Sequence, residues 1–196
     1  METSKELYDI ISKEKDSCVI VDVGACNLLT DNMKYFSRDE DYKILLIEPD
    51  PRQQNLILSQ LANNSFAAKI YLTDIAVSDS YGVMDFIVSE TVGHSRFDND
   101  NFRKAKPNSK DQYTTRVLTN PLAAILDEFY IIDIDFLKID VEGMDEMVIK
   151  QGLEFSPKYI MAEHQYNEER IKKQTELLKD YAKVCSFDDS ILWRLR

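Results

Sequence analysis

The stretch CVIVDVGA, residues 18–25, decides how the rest of the chain is interpreted. Residues 18–23 are apolar and β-branched apart from Asp22, which is typical of a buried strand, and Gly24 permits a tight turn directly after it. A strand followed by such a turn is the first half of a nucleotide-binding motif. The complete dinucleotide fingerprint, GxGxxG, needs further glycines where this chain has Cys26 and Leu29. Because a pyrophosphate requires that bare backbone, NAD and FAD are disfavoured.

Helices and strands alternate along the rest of the sequence. Apolar periodicity and capping residues predict helices over residues 3–14, 28–36, 51–62, 122–130, 144–150 and 167–183. Apolar or alternating runs predict strands over residues 43–47, 71–78, 83–88, 136–140 and 158–163, and a closing hairpin of 184–187 with 191–195. We also expect Asn120 to cap the start of a helix and Gly152 to cap the end of one. The alternation predicts one α/β domain over residues 1–196, with helices on both faces of its sheet.

The composition is that of a folded protein and disfavours several functional classes. The chain has 196 residues, of which 44% are hydrophobic and 30% charged, and its 5 glycines compare with ~14 in an average protein of this length. No apolar run reaches the ~18–20 residues of a membrane span, and residues 1–15 lack a signal-peptide core, so we expect a cytoplasmic protein. The net charge of -11 disfavours a nucleic-acid partner. The three cysteines (Cys18, Cys26, Cys185) form neither a CxxC metal motif nor a disulfide framework.

Residues 89–112 are polar and lack periodicity, so we expect a long loop on the substrate side of the domain. Between His94 and Arg116, six basic residues outnumber three acidic ones. Two interpretations stay open for this basic stretch: a solvated surface loop, or a cationic cover over a substrate.

Acidic residues stand at the carboxyl ends of four predicted strands. They are Asp22, Glu48, Asp140 with Glu142, and Glu163. In a sheet of this class, ligands bind beyond the carboxyl ends of the strands. Carboxylates gathered there repel one another unless cationic or hydroxyl groups lie among them. Glu48 ends the second strand, 26 residues after Asp22, where a carboxylate can accept hydrogen bonds from both ribose hydroxyls. A cofactor with adenine, ribose and a positive centre but no phosphate matches this edge, which favours S-adenosylmethionine.

Four segments then carry a resemblance to a known family. They are VDVGA at 21–25, IEP at 47–49, AVSDSYGVMDF at 76–86 and LKIDVEGMDEMVIKQG at 137–152. In this order they resemble the FkbM family of S-adenosylmethionine-dependent methyltransferases, over residues 17–164. The chain departs from the family at Cys26, where an asparagine is usual, and at Leu28, where a second glycine is usual.

The resemblance implies a fold, an activity and a class of acceptor. The fold is the class I methyltransferase (Rossmann-like) fold, whose seven-stranded sheet is mostly parallel with an antiparallel last strand. The activity is O-methylation, transferring a methyl group to a hydroxyl of a sugar or glycan, for example a deoxysugar.

The residues at the strand ends are assigned to parts of the cofactor. We expect Asp22 and Gly24 to contact the methionine end, in the loop that also holds Ala25 and Cys26. We expect Glu48 to bind the ribose, and Asp74, Ile75 and Ala76 to flank the adenine. Pro49 and Asp140 are further predicted cofactor contacts.

Activation of the acceptor is assigned to a second set of residues. A sugar hydroxyl is a poor nucleophile near neutral pH and needs a base or a metal ion. Asp140 is the best-placed base, and Glu142, Glu163 and His94 complete the candidate catalytic set. Asp140, Glu163 and His164 could instead hold Mg²⁺ or Mn²⁺, since hard cations prefer oxygen ligands.

Two other functions compete with this interpretation. The basic stretch would suit a nucleic-acid methyltransferase, against which stand the net charge and the lack of an (N/D)PPY segment. Cys26 and Leu28 would suit a non-catalytic, partner-binding module with a degenerate methyltransferase fold. Neither the acceptor nor the oligomeric state follows from the sequence.

Overall fold

The computed structural model describes residues 3–14, 17–27, 32–98, 110–164, 167–187 and 189–196. The helices in this part of the chain are α1 (Thr3–Ile11), α2 (Pro51–Asn63), α3 (Leu122–Glu128), α4 (Asp145–Gly152) and α5 (Glu168–Leu177). The strands are β1 (Cys18–Val23), β2 (Tyr42–Ile47), β3 (Lys69–Thr73), β4 (Ala76–Val77), β5 (Gly82–Ser89), β6 (Arg96–Phe97), β7 (Asp111–Asn120), β8 (Phe136–Ile139), β9 (Tyr159–Glu163), β10 (Tyr181–Phe187) and β11 (Ser190–Leu195).

Seven strands form the main sheet, in the order β10-β11-β9-β8-β1-β2-β3. The pairs β1–β2, β2–β3, β1–β8 and β8–β9 are parallel, whereas β11 runs antiparallel to both β9 and β10. This is the predicted class I methyltransferase sheet with its antiparallel last strand. Val23 pairs with both Ile47 and Ile139, so β1, β2 and β8 end at the same edge of the sheet.

The main sheet is buried on both faces, as predicted. Successive residues of β1 point to opposite faces, so Val21 and Val23 join one apolar cluster and Ile20 joins the other. Helices α3 and α4 pack on the first face, and α1 and α2 pack on the second. Because both faces are covered, strands such as β2 are almost continuously apolar rather than alternating.

A second sheet, which the sequence analysis did not predict, lies beyond the carboxyl edge of the first. Its strand order is β4-β7-β5-β6, and β5 pairs with β7 from Gly82↔Thr119 to Ser89↔Asp111. The loop predicted over residues 89–112 therefore contains β6 and the start of β7, while residues 99–109 lie outside the described chain. The predicted strand 71–78 is divided between the two sheets as β3 and β4.

Several predicted element ends differ from the structure. Within 28–36, residues 28–31 lie outside the described chain, and the rest forms short 3-10 turns at Asn32–Lys34 and Phe36–Arg38. Asn120 does not cap α3, because it pairs with Val77 as the last residue of β7. Helix α5 ends at Leu177, earlier than predicted, and β10 begins at Tyr181.

Gly152 has a different role from the predicted helix cap. Its φ of -61° is helical, and a short 3-10 turn continues to Phe155. A Cβ at this position would collide with the buried side chain of Leu137 on β8. The glycine therefore allows α4 to pack closely on the sheet, and Ser156 adopts the left-handed conformation instead.

Within the described residues, no helix has the length and apolar character needed to cross a bilayer. The cytoplasmic location stays a prediction.

Candidate functional site

A cleft with about 660 Å³ of empty space, part of it open to solvent, lies at the carboxyl ends of β1, β2 and β8, beneath the second sheet. We call it the central cleft. The predicted site residues that line it are Gly24, Cys26, Glu48, Pro49, Ala76, Asp140 and Glu142. The structure therefore brings together the carboxylates that follow β2 and β8, the two strands on either side of β1.

The turn after β1 forms one wall of the central cleft. Gly24 has a φ of +82°, and its amide donates to the carbonyl of Ile47 at 2.9 Å. A Cβ here would collide with the carbonyl oxygen of Asp140, so the turn passes directly against the backbone that follows β8. Cys26 also has a left-handed backbone, with φ of 50°. Asparagine, the usual family residue near this position, adopts that conformation more readily than cysteine.

Glu48 is a buried carboxylate, only 6% exposed, in the wall of the central cleft. One of its oxygens, Oε1, accepts from the amide of Asp50 and the other, Oε2, from the amide of Cys26, each at 2.7 Å. Burial raises its pKa to about 7, against the effect of these two hydrogen bonds. Each carboxylate oxygen can accept a further bond, so the fixed side chain keeps capacity for a hydroxyl ligand.

Replacing Glu48 with glutamine is expected to reduce the pH dependence of stability. Since the pKa of Glu48 rises from 4.5 to about 7 on folding, the folded state holds a proton that the unfolded state releases within this window. The free energy of unfolding therefore falls as pH rises from 4.5 to about 7, by as much as about 3 kcal/mol from this residue.

Urea unfolding at about pH 5 and about pH 8 would measure the effect. The Glu48→Gln variant should lose less stability between the two values than the parent, whereas a variant at an exposed glutamate, Glu154→Gln, should behave like the parent. An unchanged pH dependence in Glu48→Gln would refute the prediction.

Asp22 and Ala25 do not line the central cleft. The Asp22 carboxylate forms an ion pair with Lys138 of β8, with Nζ and Oδ1 2.9 Å apart and side-chain exposures of 1% and 4%. The two residues are register partners, so they share a face of the sheet. Ala25 is buried in the apolar cluster of that same face. Their assignment to the methionine end of the cofactor stays a prediction.

Two of the residues assigned to adenine also lie outside the lining of the central cleft. Asp74 lines a second, more open cleft, together with Arg116. Pro49 borders both clefts, which places the two next to each other. Ile75 is partly buried and packs against the first apolar cluster.

Three carboxylates converge at the ends of β8 and β9. One oxygen from each of Asp140, Glu142 and Glu163 can be chosen so that all three lie within 4.8 Å of one another. We call this group the acidic triad. His164, predicted as a metal ligand, is not part of it. Its role as a metal ligand stays a prediction.

Asp145, at the start of α4, holds the loop that carries the acidic triad, a role that the sequence analysis missed. Its carboxylate oxygens accept from the amides of Val141 at 3.4 Å and Gly143 at 3.3 Å. The loop needs such support because Glu142 has a φ of 51° and Gly143 a φ of 103°. The sequence does contain a signal for this role, because Asp145 is an acidic residue in the first turn of α4. Amides near a helix N-terminus favour a carboxylate.

His164 is not a member of the acidic triad, and His94 is not among the described residues that line the central cleft. The backbone amide of His164 donates to the carbonyl of Asp189, and burial lowers the pKa of its buried imidazole. His94 lies between Gly93 and Ser95, which line the central cleft, but its own side chain is not among the lining groups of the described chain. Its role as a base stays a prediction.

The second sheet supplies residues of the central cleft that sequence reasoning did not assign to it. Phe86 and Phe97 pack edge to face with ring centroids 5.5 Å apart. Arg96 is buried, pairs with Asp111 at 2.9 Å and is the one basic group among the described lining residues. Arg96 belongs to the basic stretch, so one member of that stretch lies at the cleft.

The seven-stranded sheet with its antiparallel last strand, and a cleft at the carboxyl ends of its central strands, define a class I methyltransferase fold. The sequence matches the family model of the methyltransferase FkbM domain over residues 22–188. The chain therefore belongs to the FkbM methyltransferase family, whose methyl donor is S-adenosylmethionine. No curated protein is similar enough in sequence to match it.

Solved structures share the fold at low sequence identity. A methyltransferase from Geobacter sulfurreducens has a TM-score of 0.55 and 15% identity, with 100% of this chain and 80% of that one covered. A methyltransferase-like protein from Silicibacter pomeroyi has a TM-score of 0.57 and 11% identity, with 100% and 86% covered. The fibrillarin pre-rRNA processing protein of Methanococcus jannaschii overlaps less well, with a TM-score of 0.49, 13% identity and 92% and 67% covered, and carries no information on the acceptor.

Proposed function

We propose that this FkbM-family protein is an O-methyltransferase that transfers the methyl group of S-adenosylmethionine to a hydroxyl of a sugar or glycan, within one domain formed by residues 1–196. The observation that carries the proposal is that Glu48 and Asp140, which follow the strands on either side of β1, line one cleft. The first is suited to bind a ribose and the second to receive a proton.

The residues present fit the cofactor. Gly24 gives the bare backbone at the turn after β1, and Glu48 is a fixed carboxylate with room to accept from hydroxyls. Cys26, Pro49 and Ala76 complete the proposed contacts within the central cleft, and Asp74 would meet the adenine at the border with the second cleft. When bound, S-adenosylmethionine supplies the methyl group and a positively charged sulfonium, which suits the acidic surroundings.

The chain's own residues would orient and deprotonate the acceptor. The acceptor oxygen gains the methyl group and loses its proton, which the Asp140 carboxylate accepts. Holding the hydroxyl in line for attack supplies a further part of the rate enhancement. Glu142 and Glu163 lie within reach of the same point and complete the proposed catalytic set, with His94 as a further candidate.

The acidic triad also fits a hard divalent cation. Its oxygens lie within 4.8 Å of one another, and Mg²⁺ or Mn²⁺ prefers carboxylate ligands. Asp140 and Glu163 belong both to this group and to the predicted ligand set, whose third member is His164.

Methyl transfer to a panel of sugars and glycosylated metabolites tests the proposal, with titration calorimetry for S-adenosylmethionine binding. Asp140→Asn is expected to lower kcat by about 100-fold, because a carboxamide cannot accept the proton. The exposed Asp127→Asn should keep full activity. EDTA is expected to abolish turnover if the acidic triad works through a metal ion.

The outcomes separate the rival functions. A parent protein that does not bind S-adenosylmethionine would be the partner-binding module rather than an enzyme. Methylation of RNA or DNA in place of the sugars, lost at modest salt, would identify a nucleic-acid methyltransferase. Full activity of Asp140→Asn would refute the assigned base.

A further inference from the structure

Asp50 is a buried carboxylate, 1% exposed, that joins the end of β2 to the second sheet. Its Oδ1 accepts from the amide of Arg52 at 2.9 Å and thereby caps the start of α2. Its Oδ2 accepts from the hydroxyl of Ser95 at 2.6 Å and from Nη2 of Arg52 at 2.8 Å. The cap of α2 uses only Oδ1, so the hydrogen bonds that Oδ2 accepts are not part of the helix cap.

Ser95 belongs to residues 89–97, which run from the end of β5 to the end of β6 and which we call the roof segment. The Ser95 hydroxyl donates to Asp50 and accepts from the amide of Ser89 at 3.1 Å. The hydroxyl of Ser89 in turn donates to the carbonyl of Lys110 at 3.0 Å. The roof segment is thus tied through Ser89 to Lys110, the residue before β7, and through Ser95 to Asp50 at the start of α2.

Arg52 reinforces the same junction from the side of α2. Besides its bonds to Asp50, its Nη2 lies 3.2 Å from the hydroxyl of Ser95 and its Nη1 donates to Gln112 of β7 at 3.0 Å. Burial opposes the ionisation of Asp50, but the hydrogen bonds from Arg52 and Ser95 outweigh it and lower the pKa of the carboxyl group. The junction is therefore an ionised carboxylate with donors from α2 and from the roof segment.

The junction lies next to Glu48. The amide of Asp50 donates to Oε1 of Glu48 at 2.7 Å, while the side chain of Asp50 holds Ser95. The roof segment contributes Gly93, Ser95 and Arg96 to the wall of the central cleft. Asp50 thus holds both the Glu48 carboxylate and the roof segment in place. A shift of the roof segment would therefore change the shape of the central cleft around Glu48.

We propose that Ser95 and Arg52 are positioning residues for cofactor binding, which act through Asp50 to hold the roof segment against the Glu48 side of the central cleft. The inference rests on the proposed function, since it takes the central cleft as the cofactor site. Neither residue takes part in the chemistry. Losing either one weakens cofactor binding and leaves the bound complex able to react at its normal rate.

Titration calorimetry with S-adenosylhomocysteine on the full chain tests the proposal, together with steady-state kinetics. Ser95→Ala is expected to raise the Kd by about 10-fold, as for loss of a hydrogen bond to a charged group, and to raise KM for the cofactor with little change in kcat. Ser37→Ala is the control, because the hydroxyl of Ser37, a buried serine, also donates one hydrogen bond, to the carbonyl of Lys34, away from the cleft. It should bind like the parent.

Arg52→Met keeps the test decisive if Ser95→Ala does not fold, since the Arg52 side chain is 32% exposed. We expect about a 3-fold to 10-fold higher Kd, and a double variant that loses less than the product of the single effects, because both residues act through one carboxylate. Parent-like affinity in either folded single variant would overturn the proposal. A parent that does not bind S-adenosylhomocysteine would instead refute the proposed function.

Discussion

Replacing Gly24 with alanine is expected to lower the free energy of unfolding by about 4 kcal/mol. Two effects add up. An L-residue at φ of +82° is strained by about 1–2 kcal/mol. The new Cβ would also collide with the carbonyl oxygen of Asp140 and lie 2.8 Å from its carbonyl carbon, so the backbone after β8 must move. The same movement displaces the Asp140 carboxylate, and activity should fall with stability.

Gly93→Ala is a matched control for this prediction. Gly93 has nearly the same φ, +80°, and also lines the central cleft, but nothing lies within 4 Å of the position of its Cβ. It should lose only the strain energy, about 1–2 kcal/mol. Urea unfolding of both variants therefore isolates the effect of the collision. Equal losses at the two positions would show that the loop after β8 accommodates a methyl group at Gly24 without cost.

The main sheet could be predicted because the sequence of each central strand is enough to identify it as a buried strand. Runs such as CVIVDV and KILLI are continuously apolar, as expected for parallel strands buried on both faces. The order of elements followed from apolar periodicity, whereas the antiparallel last strand was implied by the family resemblance. Two site residues, Glu48 and Asp140, were predictable for the same reason, since the end of a parallel strand fixes where the next side chain lies.

The second sheet could not be predicted because its strands depend on each other. Most residues of β7 are exposed, and the run QYTTR has no apolar period. Its strand conformation comes from pairing with β5, whose partner residues are 22 to 37 positions away along the chain. Ser95 and Arg96 reach the cleft only because this pairing exists. The sequence therefore predicted the lining residues that follow β1, β2 and β8, but not Ser95 and Arg96 of the roof segment.

The acidic triad shows how far residue type predicts a site. The sequence placed Asp140, Glu142, Glu163 and His164 near one edge, and three of these, Asp140, Glu142 and Glu163, have ligand atoms within 4.8 Å of one another. The left-handed backbone of Glu142, which brings its carboxylate into the group, is a local property of the loop that Asp145 holds. Such loop conformations depend on contacts that a linear pattern does not contain.

Replacing Lys138 with methionine is expected to destabilise the fold by about 3–5 kcal/mol. The side chains of Lys138 and Asp22 are 4% and 1% exposed, and their charged atoms lie 2.9 Å apart between two central strands. Removing the ammonium group leaves the Asp22 carboxylate buried without its counter-charge, which is more costly than losing the pair as a whole. The double variant Asp22→Val with Lys138→Met should therefore recover most of the stability. Urea unfolding of the parent, the single variant and the double variant measures both effects.

The double variant also decides between two roles for Asp22. The sequence assigned this carboxylate to the methionine end of the cofactor, whereas the structure pairs it with Lys138 on a buried face of the sheet. If the ion pair is structural, the refolded double variant should bind S-adenosylhomocysteine with the affinity of the parent, because Gly24 and Glu48 are unchanged. If Asp22 contacts the cofactor, the double variant should be stable and yet bind at least 10-fold more weakly, as expected for a lost hydrogen bond to a charge, ~1.5–3 kcal/mol. Since stability and affinity are measured on the same protein, failure to fold cannot be mistaken for failure to bind.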